Sequence, residues 1–240
     1  MFEWISSPEA WVALGTLTAL EVVLGIDNII FISILVSRLP DEQRDRARRL
    51  GIALAMLTRL ALLFSISWVM GLTEPWFSVL GQEISGRDFI LIVGGLFLLA
   101  KSTHEIHASV EGGSESEHQA AKAAASFSMV LVQIAILDIV FSLDSVITAV
   151  GLVDHISIMA IAIVVAVGVM LIASKAIGDF VDAHPTIKIL ALSFLIVVGL
   201  TLTMEGLDVH VPKGYIYFAM LFSLAVELIN IRMRKKRAAS

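Results

Sequence analysis

The chain contains no cysteine. Disulfides, zinc–thiolate centres, iron–sulfur clusters and cysteine nucleophiles are therefore excluded. Charge is nearly as scarce: only 16% of the 240 residues are Asp, Glu, Lys or Arg, against roughly 25% in an ordinary soluble domain. Apolar residues fill the space, at 58% of the chain and a mean hydropathy of +0.89. A water-soluble fold of this size cannot hide that much apolar surface behind so thin a polar coat. Soluble enzymes and disordered chains are excluded on that ground, and nucleic-acid partners on a second one. Acidic residues (22) outnumber basic ones (17), whereas phosphate recognition needs clustered cations. What remains is a polytopic helical membrane protein of one domain, whose first partner is the lipid bilayer.

A transmembrane helix needs about 20 mostly apolar residues to cross roughly 30 Å of hydrocarbon. Seven segments approach that length: 11–36, 50–72, 89–105, 126–153, 156–176, 187–205 and 215–231. The first ten residues hold Glu3 and Glu9 and no basic residue, so the first segment is expected as a retained helix rather than a cleaved leader. Lys and Arg near the span ends set the orientation. Arg38, Arg44, Arg46, Arg48, Arg49, Lys101, Lys122, Lys175, Lys188, Arg232, Arg234, Lys235, Lys236 and Arg237 all fall on one side. Arg87 and Lys213 fall on the other, and Arg59 sits within a span. The expectation is an outer N-terminus and a cytoplasmic C-terminus. The polar stretch Ser109–Lys122 reads as a flexible cytoplasmic linker. Trp4, Trp11, Trp68, Trp76, Tyr215 and Tyr217 fit interfacial belts.

The first and fourth spans repeat one pattern. Leu20-Glu21-Val22-Val23-Leu24-Gly25-Ile26-Asp27-Asn28-Ile29-Ile30 aligns without gaps on Leu137-Asp138-Ile139-Val140-Phe141-Ser142-Leu143-Asp144-Ser145-Val146-Ile147. The third and sixth spans agree more weakly, ending in Glu105 and Glu205. The expected fold is all-α: two three-helix repeats at about 10–107 and 123–206, a linker at about 108–122, and a last helix at about 213–232. Three helices per repeat is odd, so the second repeat enters from the opposite face. Such inverted repeats are a transporter architecture with a site near the midplane. Side by side, the two spans bring Glu21 near the level of Asp144 and Asp27 near that of Asp138. Glu21 and Asn28 share a helix stripe, whereas Asp27 points about 120° away from Glu21 on a regular helix. Convergence of all these groups on one cavity therefore predicts helix breaks near Gly25 and Ser142.

A carboxylate at the bilayer centre costs about 2.5–3.5 kcal/mol. Four of them need cations, protons or basic partners, and only Arg59 and Lys101 are near. Arg59 is expected to pair with one acid as a counter-charge. The donors are carboxylates, the Asn28 amide, the Ser142 and Ser145 hydroxyls and the Gln133 amide, all hard oxygen ligands that suit Mn²⁺, Mg²⁺ or Ca²⁺. His104 and His107 flank Glu105 and suggest an entry site, although a solvated helix end is the plainer reading. Lys101 and Glu105 are spaced to pair at i,i+4.

The two motif copies, together with Gly94-Gly95-Leu96-Phe97-Leu98-Leu99, Glu105-Ile106-His107 and the run from Val211 to Met220, resemble the TerC family of integral membrane proteins. The likeness covers nearly the whole chain and is strongest to short YgdQ-like bacterial inner-membrane members. It implies a seven-helix bundle in the inner (plasma) membrane and, from several relatives, manganese export. It also implies that Glu21, Asp27, Asp138 and Asp144, with Asn28 and Ser145 beside them, handle the metal. The family takes its name from tellurium resistance, but an acidic cavity repels a tellurium oxyanion.

The leading expectation is thus a divalent-cation transporter, exporting Mn²⁺ in exchange for protons, with no organic cofactor and no enzymatic activity. The alternative is a non-transporting membrane partner in metal loading or assembly of exported proteins, or in tellurium or metal stress resistance. An intramembrane aspartyl hydrolase is a third, for which no protease motif is present.

Overall fold

The computed structural model describes residues 7–79, 82–111, 126–152 and 155–238. Within them the order is α1 (Pro8–Val36), α2 (Asp41–Phe64), α3 (Ile66–Gly71), β1 (Pro75–Val79), β2 (Gln82–Ser85), α4 (Gly86–Val110), α5 (Phe127–Leu152), α6 (Ile156–Ala183), α7 (Pro185–Glu205) and α8 (Lys213–Ala238). Most of the expected linker, from residue 112 onward, and Trp4 lie outside the described residues.

Local chemistry fixes the helix starts. Ser7 caps α1 by accepting from the Ala10 N–H at 3.4 Å, and Pro8 begins the helix where no intrahelical N–H is needed. Ser85 and Asp88 form a capping box at α4: Ser85 Oγ accepts from the Asp88 N–H at 3.2 Å, and Asp88 Oδ2 from the Ser85 N–H at 3.0 Å. Pro185 opens α7.

Among the described residues six helices are long and apolar enough to cross a membrane: α1, α4, α5, α6, α7 and α8. The expected second span, 50–72, takes a different form. The helix begins earlier, at Asp41, with Asp41 and Glu42 in the first turn where acids complement the helix dipole. It stops at Phe64, and α3 resumes after Ser65. The polar run from Asp41 to Arg49 is therefore helix rather than loop. Arg48 is only 3% exposed and pairs with Asp45 at 3.1 Å, instead of being a solvated loop cation.

The all-α expectation needs one correction. β1 and β2 form an antiparallel hairpin between α3 and α4. Trp76, Phe77, Val79 and Ile84 are residues that suit a pleated surface. Pro75 stands first in its strand, where a missing N–H is tolerated.

Three helix pairs make the bundle: α1 on α6, α2 on α5, and α4 on α7. The α4–α7 crossing is tight. A Cβ on Gly95 would lie 2.5 Å from the Gly199 carbonyl oxygen, and one on Gly199 would lie 2.8 Å from that of Gly95. Small residues allow such close backbone approach inside membranes, where packing replaces the hydrophobic effect between helices. The core between the pairs is filled by large buried side chains, among them Ile34, Leu35, Leu63, Leu91, Leu98, Ile134, Leu137 and Leu195. By contrast, none of the apolar window of α8 is buried by the rest of the chain.

Burial follows one pattern in both halves. Ala47, Arg48, Gly51, Ile52, Arg59 and Leu63 of α2 align without gaps on Ile158, Met159, Ala162, Ile163, Met170 and Ser174 of α6, and all are buried. Leu17, Glu21 and Ile29 of α1 align in the same way on buried Ile134, Asp138 and Val146 of α5.

Candidate functional site

The motif-bearing helices α1 and α5 are continuous through 25–28 and 142–145, so the expected helix breaks are absent. The small residues have another purpose. A Cβ on Gly25 would collide with the Met170 sulfur of α6. Ser142, its counterpart on α5, receives the Arg59 guanidinium of α2: Nε donates to Ser142 Oγ at 2.9 Å. Each small residue makes room for a long side chain from the paired helix.

Arg59 is the centre of the site. It is 3% exposed, inside a stretch of α2 whose one other polar residue nearby is Thr58. Nη1 forms an ion pair with Glu21 Oε2 of α1, and Nη2 reaches Asp138 Oδ1 of α5 at 3.2 Å. The expectation was one acid; the fork straddles two, one from each motif copy. Glu21 is 7% exposed and Asp138 3%.

Asp138 is heavily bonded besides. Its Oδ1 accepts from Asn28 Nδ2 at 3.3 Å, and its Oδ2 from Ser142 Oγ at 3.2 Å and Thr58 Oγ1 at 2.7 Å. The Thr58 hydroxyl also lies 2.9 Å from the Ala55 carbonyl; the carboxylate is the stronger acceptor for its single proton. These contacts are what a buried carboxylate requires, because an uncompensated charge in low dielectric is strongly disfavoured.

Asn28, Arg59 and Asp138 border a small cavity of about 10 Å³, otherwise apolar with Ile29, Ile52 and Met170 among its walls. That is on the order of one water. Glu21 borders a second of the same size with Leu17, Leu63 and Val146. Asn28 of α1 thus faces Asp138 of α5, and Glu21 shares its cavity with Val146; the expected levels of Asp27 and Asp144 fall on side chains outside the described residues.

The other candidates divide. The side chains of Asp27 and Asp144 lie outside the described residues, although their backbones are helical. Ser145 turns back on its own helix, donating to the Ser142 carbonyl at 3.1 Å, and does not join the network as Asn28 does. Gln133 is half-buried and stands outside it. Thr58 was not singled out from the sequence; its one signal is its place beside a membrane-embedded arginine. Among the described residues no group of three or more His, Asp or Glu is placed to hold a metal.

Lys101 and Glu105 belong to a separate cluster near the C-terminal end of α4. Glu105, 6% exposed, is ion-paired to Arg38 and lies 3.3 Å from Lys101 Nζ, the expected i,i+4 contact. His104 is exposed and His107 pairs with Glu111 at 3.2 Å, so the partners given for Glu105 are Arg38 and Lys101 rather than these histidines. Glu205, at the C-terminal end of α7, faces Arg87 at 3.6 Å and His210 at 3.7 Å.

Long apolar helices around a buried Arg–carboxylate network define a helical membrane protein with an ionic core. The chain matches the integral membrane protein TerC family over residues 6–239 and belongs to that family. It is 63% identical to a UPF0053 protein of Haemophilus influenzae, covering 98% of this chain and 99% of the relative. It is 61% identical to the UPF0053 inner membrane protein YgdQ of Escherichia coli, covering 98% of each. The inner membrane protein YoaE of Escherichia coli is 51% identical over 95% of this chain, which spans 44% of that longer relative. No solved structure matches.

Proposed function

We propose that this chain is a divalent-cation transporter that exports Mn²⁺ from the cytoplasm through the site between the motif copies, with protons as the exchanged ion. One observation carries the reading: Glu21 and Asp138, equivalent residues of a duplicated motif, meet at a buried site on helices apolar enough to cross a bilayer. Intramembrane carboxylates are costly and mark ion pathways. Glu21, Asp138 and Arg59 sum to one negative charge, which favours a cation and disfavours a tellurium oxyanion. Carboxylate, amide and hydroxyl oxygens are ligands for hard divalent ions. Asp27 and Asp144 complete the cargo's ligands in this reading, with Asn28 beside them.

The two halves act as inverted repeats. Exchanging α1, α2 and α4 with α5, α6 and α7 turns the α1–α6 pair into α5–α2 and returns the α4–α7 pair to itself, so the observed packing supports the exchange. Rocking of one half on the other then switches access to the central site. Seven crossings result if α2, with Arg59 neutralised inside the bundle, crosses as well. The basic residues put the N-terminus outside and the C-terminus in the cytoplasm.

Metal content and growth in excess Mn²⁺ test the proposal, comparing wild type with Asp27→Asn and Asp144→Asn. The variants are expected to accumulate Mn²⁺ and grow poorly. Equal export by variants that reach the membrane would refute it. A second reading, a non-transporting partner in metal loading or assembly of exported proteins, is favoured by the small size of the cavities at the described site residues, about 10 Å³ each. Purified protein in vesicles that moves no ion would support that reading.

A further inference from the structure

We propose that Arg59 is a tethered competitor for the transported cation: it neutralises Glu21 and Asp138 while the site is empty and is displaced when a divalent ion binds. The inference rests on the cation-transport reading and adds how the empty site is kept neutral enough to reorient.

Three facts carry it. All three edges of the guanidinium are committed, Nη1 to Glu21, Nη2 to Asp138 and Nε to Ser142. Arg59 thus occupies the position between the two acids that a bound cation requires. The adjoining cavity of about 10 Å³ has room for about one water and not for a hydrated cation beside Arg59. Charge points the same way. With Arg59 in place Glu21 and Asp138 keep one negative charge between them, half of what a divalent ion needs from the pair. A divalent ion that replaces Arg59 balances the two acids.

Arginine cannot leave by losing its proton, because a guanidinium stays charged in proteins. Release of Glu21 and Asp138 therefore requires physical displacement, which couples cargo binding to movement of α2. The device belongs to one half only: the residue aligned with Arg59 on α6 is Met170, which is neutral and packs on Gly25. Arg59 then has the function in the empty carrier that cargo has in the loaded one, and net efflux depends on it. Exchange of Mn²⁺ for Mn²⁺, in which the site always returns loaded, does not.

The test uses the full chain, purified and reconstituted in vesicles, with Mn²⁺ as the probe. Arg59→Met, which installs the residue found in the other half, is expected to bind Mn²⁺ on the order of tenfold more tightly or better. It should lose net efflux and retain Mn²⁺/Mn²⁺ exchange, and added guanidinium should compete with Mn²⁺ in this variant and not in wild type. Arg59→Lys keeps a charge but cannot straddle both acids, and its affinity should fall between the two. A folded Arg59→Met with unchanged or weaker affinity, or equal loss of efflux and exchange, would overturn the inference and leave the transport reading standing. If Arg59→Met does not fold, wild-type affinity in Arg59→Lys overturns it instead. Absence of Mn²⁺ binding in wild type and all variants would overturn both.

Discussion

Asn28 Nδ2 donates to Asp138 Oδ1 across 3.3 Å, so the end of one motif copy meets the start of the other. The reciprocal contact is missing: Ser145, which aligns with Asn28, bonds the Ser142 carbonyl of its own helix at 3.1 Å. The two copies are related in sequence but unequal in use.

That inequality predicts unequal mutants. Asn28→Ala removes a hydrogen bond to a buried charge, worth about 1 kcal/mol or somewhat more, and should weaken Mn²⁺ affinity roughly fivefold. Ser145→Ala should leave affinity unchanged. Titration of Mn²⁺ into the two purified variants checks both; an effect of Ser145→Ala equal to that of Asn28→Ala would show that the copies act alike.

The Gly25–Met170 contact explains a glycine that the sequence suggests as a helix break. Gly25→Ala should destabilise the protein by about 1 kcal/mol, because the new Cβ runs into the Met170 sulfur and a flexible side chain yields at modest cost. Adding Met170→Ala should recover part of that loss, a coupling visible in a double-mutant cycle of thermal unfolding in detergent. Additive effects would mean that the two residues do not touch.

Much of this molecule is readable from its sequence. Apolar runs mark the spans, and the motif duplication marks α1 and α5 because both copies keep an acid, a spacing and a second acid. The relation between α2 and α6 is hidden, because the halves share buried positions and not residue types: Arg59 stands opposite Met170, and Leu63 opposite Ser174. Thr58 is invisible for the same reason, since only folding brings it to Asp138. The start of α2 at Asp41 reads as loop because charge and apolar character, rather than helix propensity, drive the recognition of spans. The hairpin is missed because Trp76 fits an interfacial belt as well as it fits a strand.

The Gly95–Gly199 crossing predicts a larger penalty than Gly25. Gly95→Val places carbon against a backbone carbonyl 2.5 Å away, which cannot rotate aside. The α4–α7 pair should open and the protein lose about 2–3 kcal/mol. Gly168→Ala, where nothing lies within 4 Å, should be neutral or stabilising by up to about 1 kcal/mol. Unfolding midpoints of the two variants in one detergent test the contrast, and equal midpoints would refute the close approach.

Ion pairs at the bundle ends should differ by burial. Glu105→Gln leaves Arg38 and Lys101 facing a neutral, 6%-exposed site and should cost about 1–3 kcal/mol. Asp41, whose side chain is 85% exposed in its pair with Arg44, should lose less than about 0.5 kcal/mol as Asp41→Asn. Thermal unfolding at low and high salt separates them: added salt should erase the Asp41 effect and leave most of the Glu105 effect.

The most direct test of the account is Mn²⁺ flux into or out of vesicles holding the purified chain, measured for wild type, Glu21→Gln and Asp138→Asn. The account predicts saturable Mn²⁺ flux for wild type and its loss in both variants, with each variant still folded and inserted. Wild-type flux in folded Asp138→Asn would contradict it.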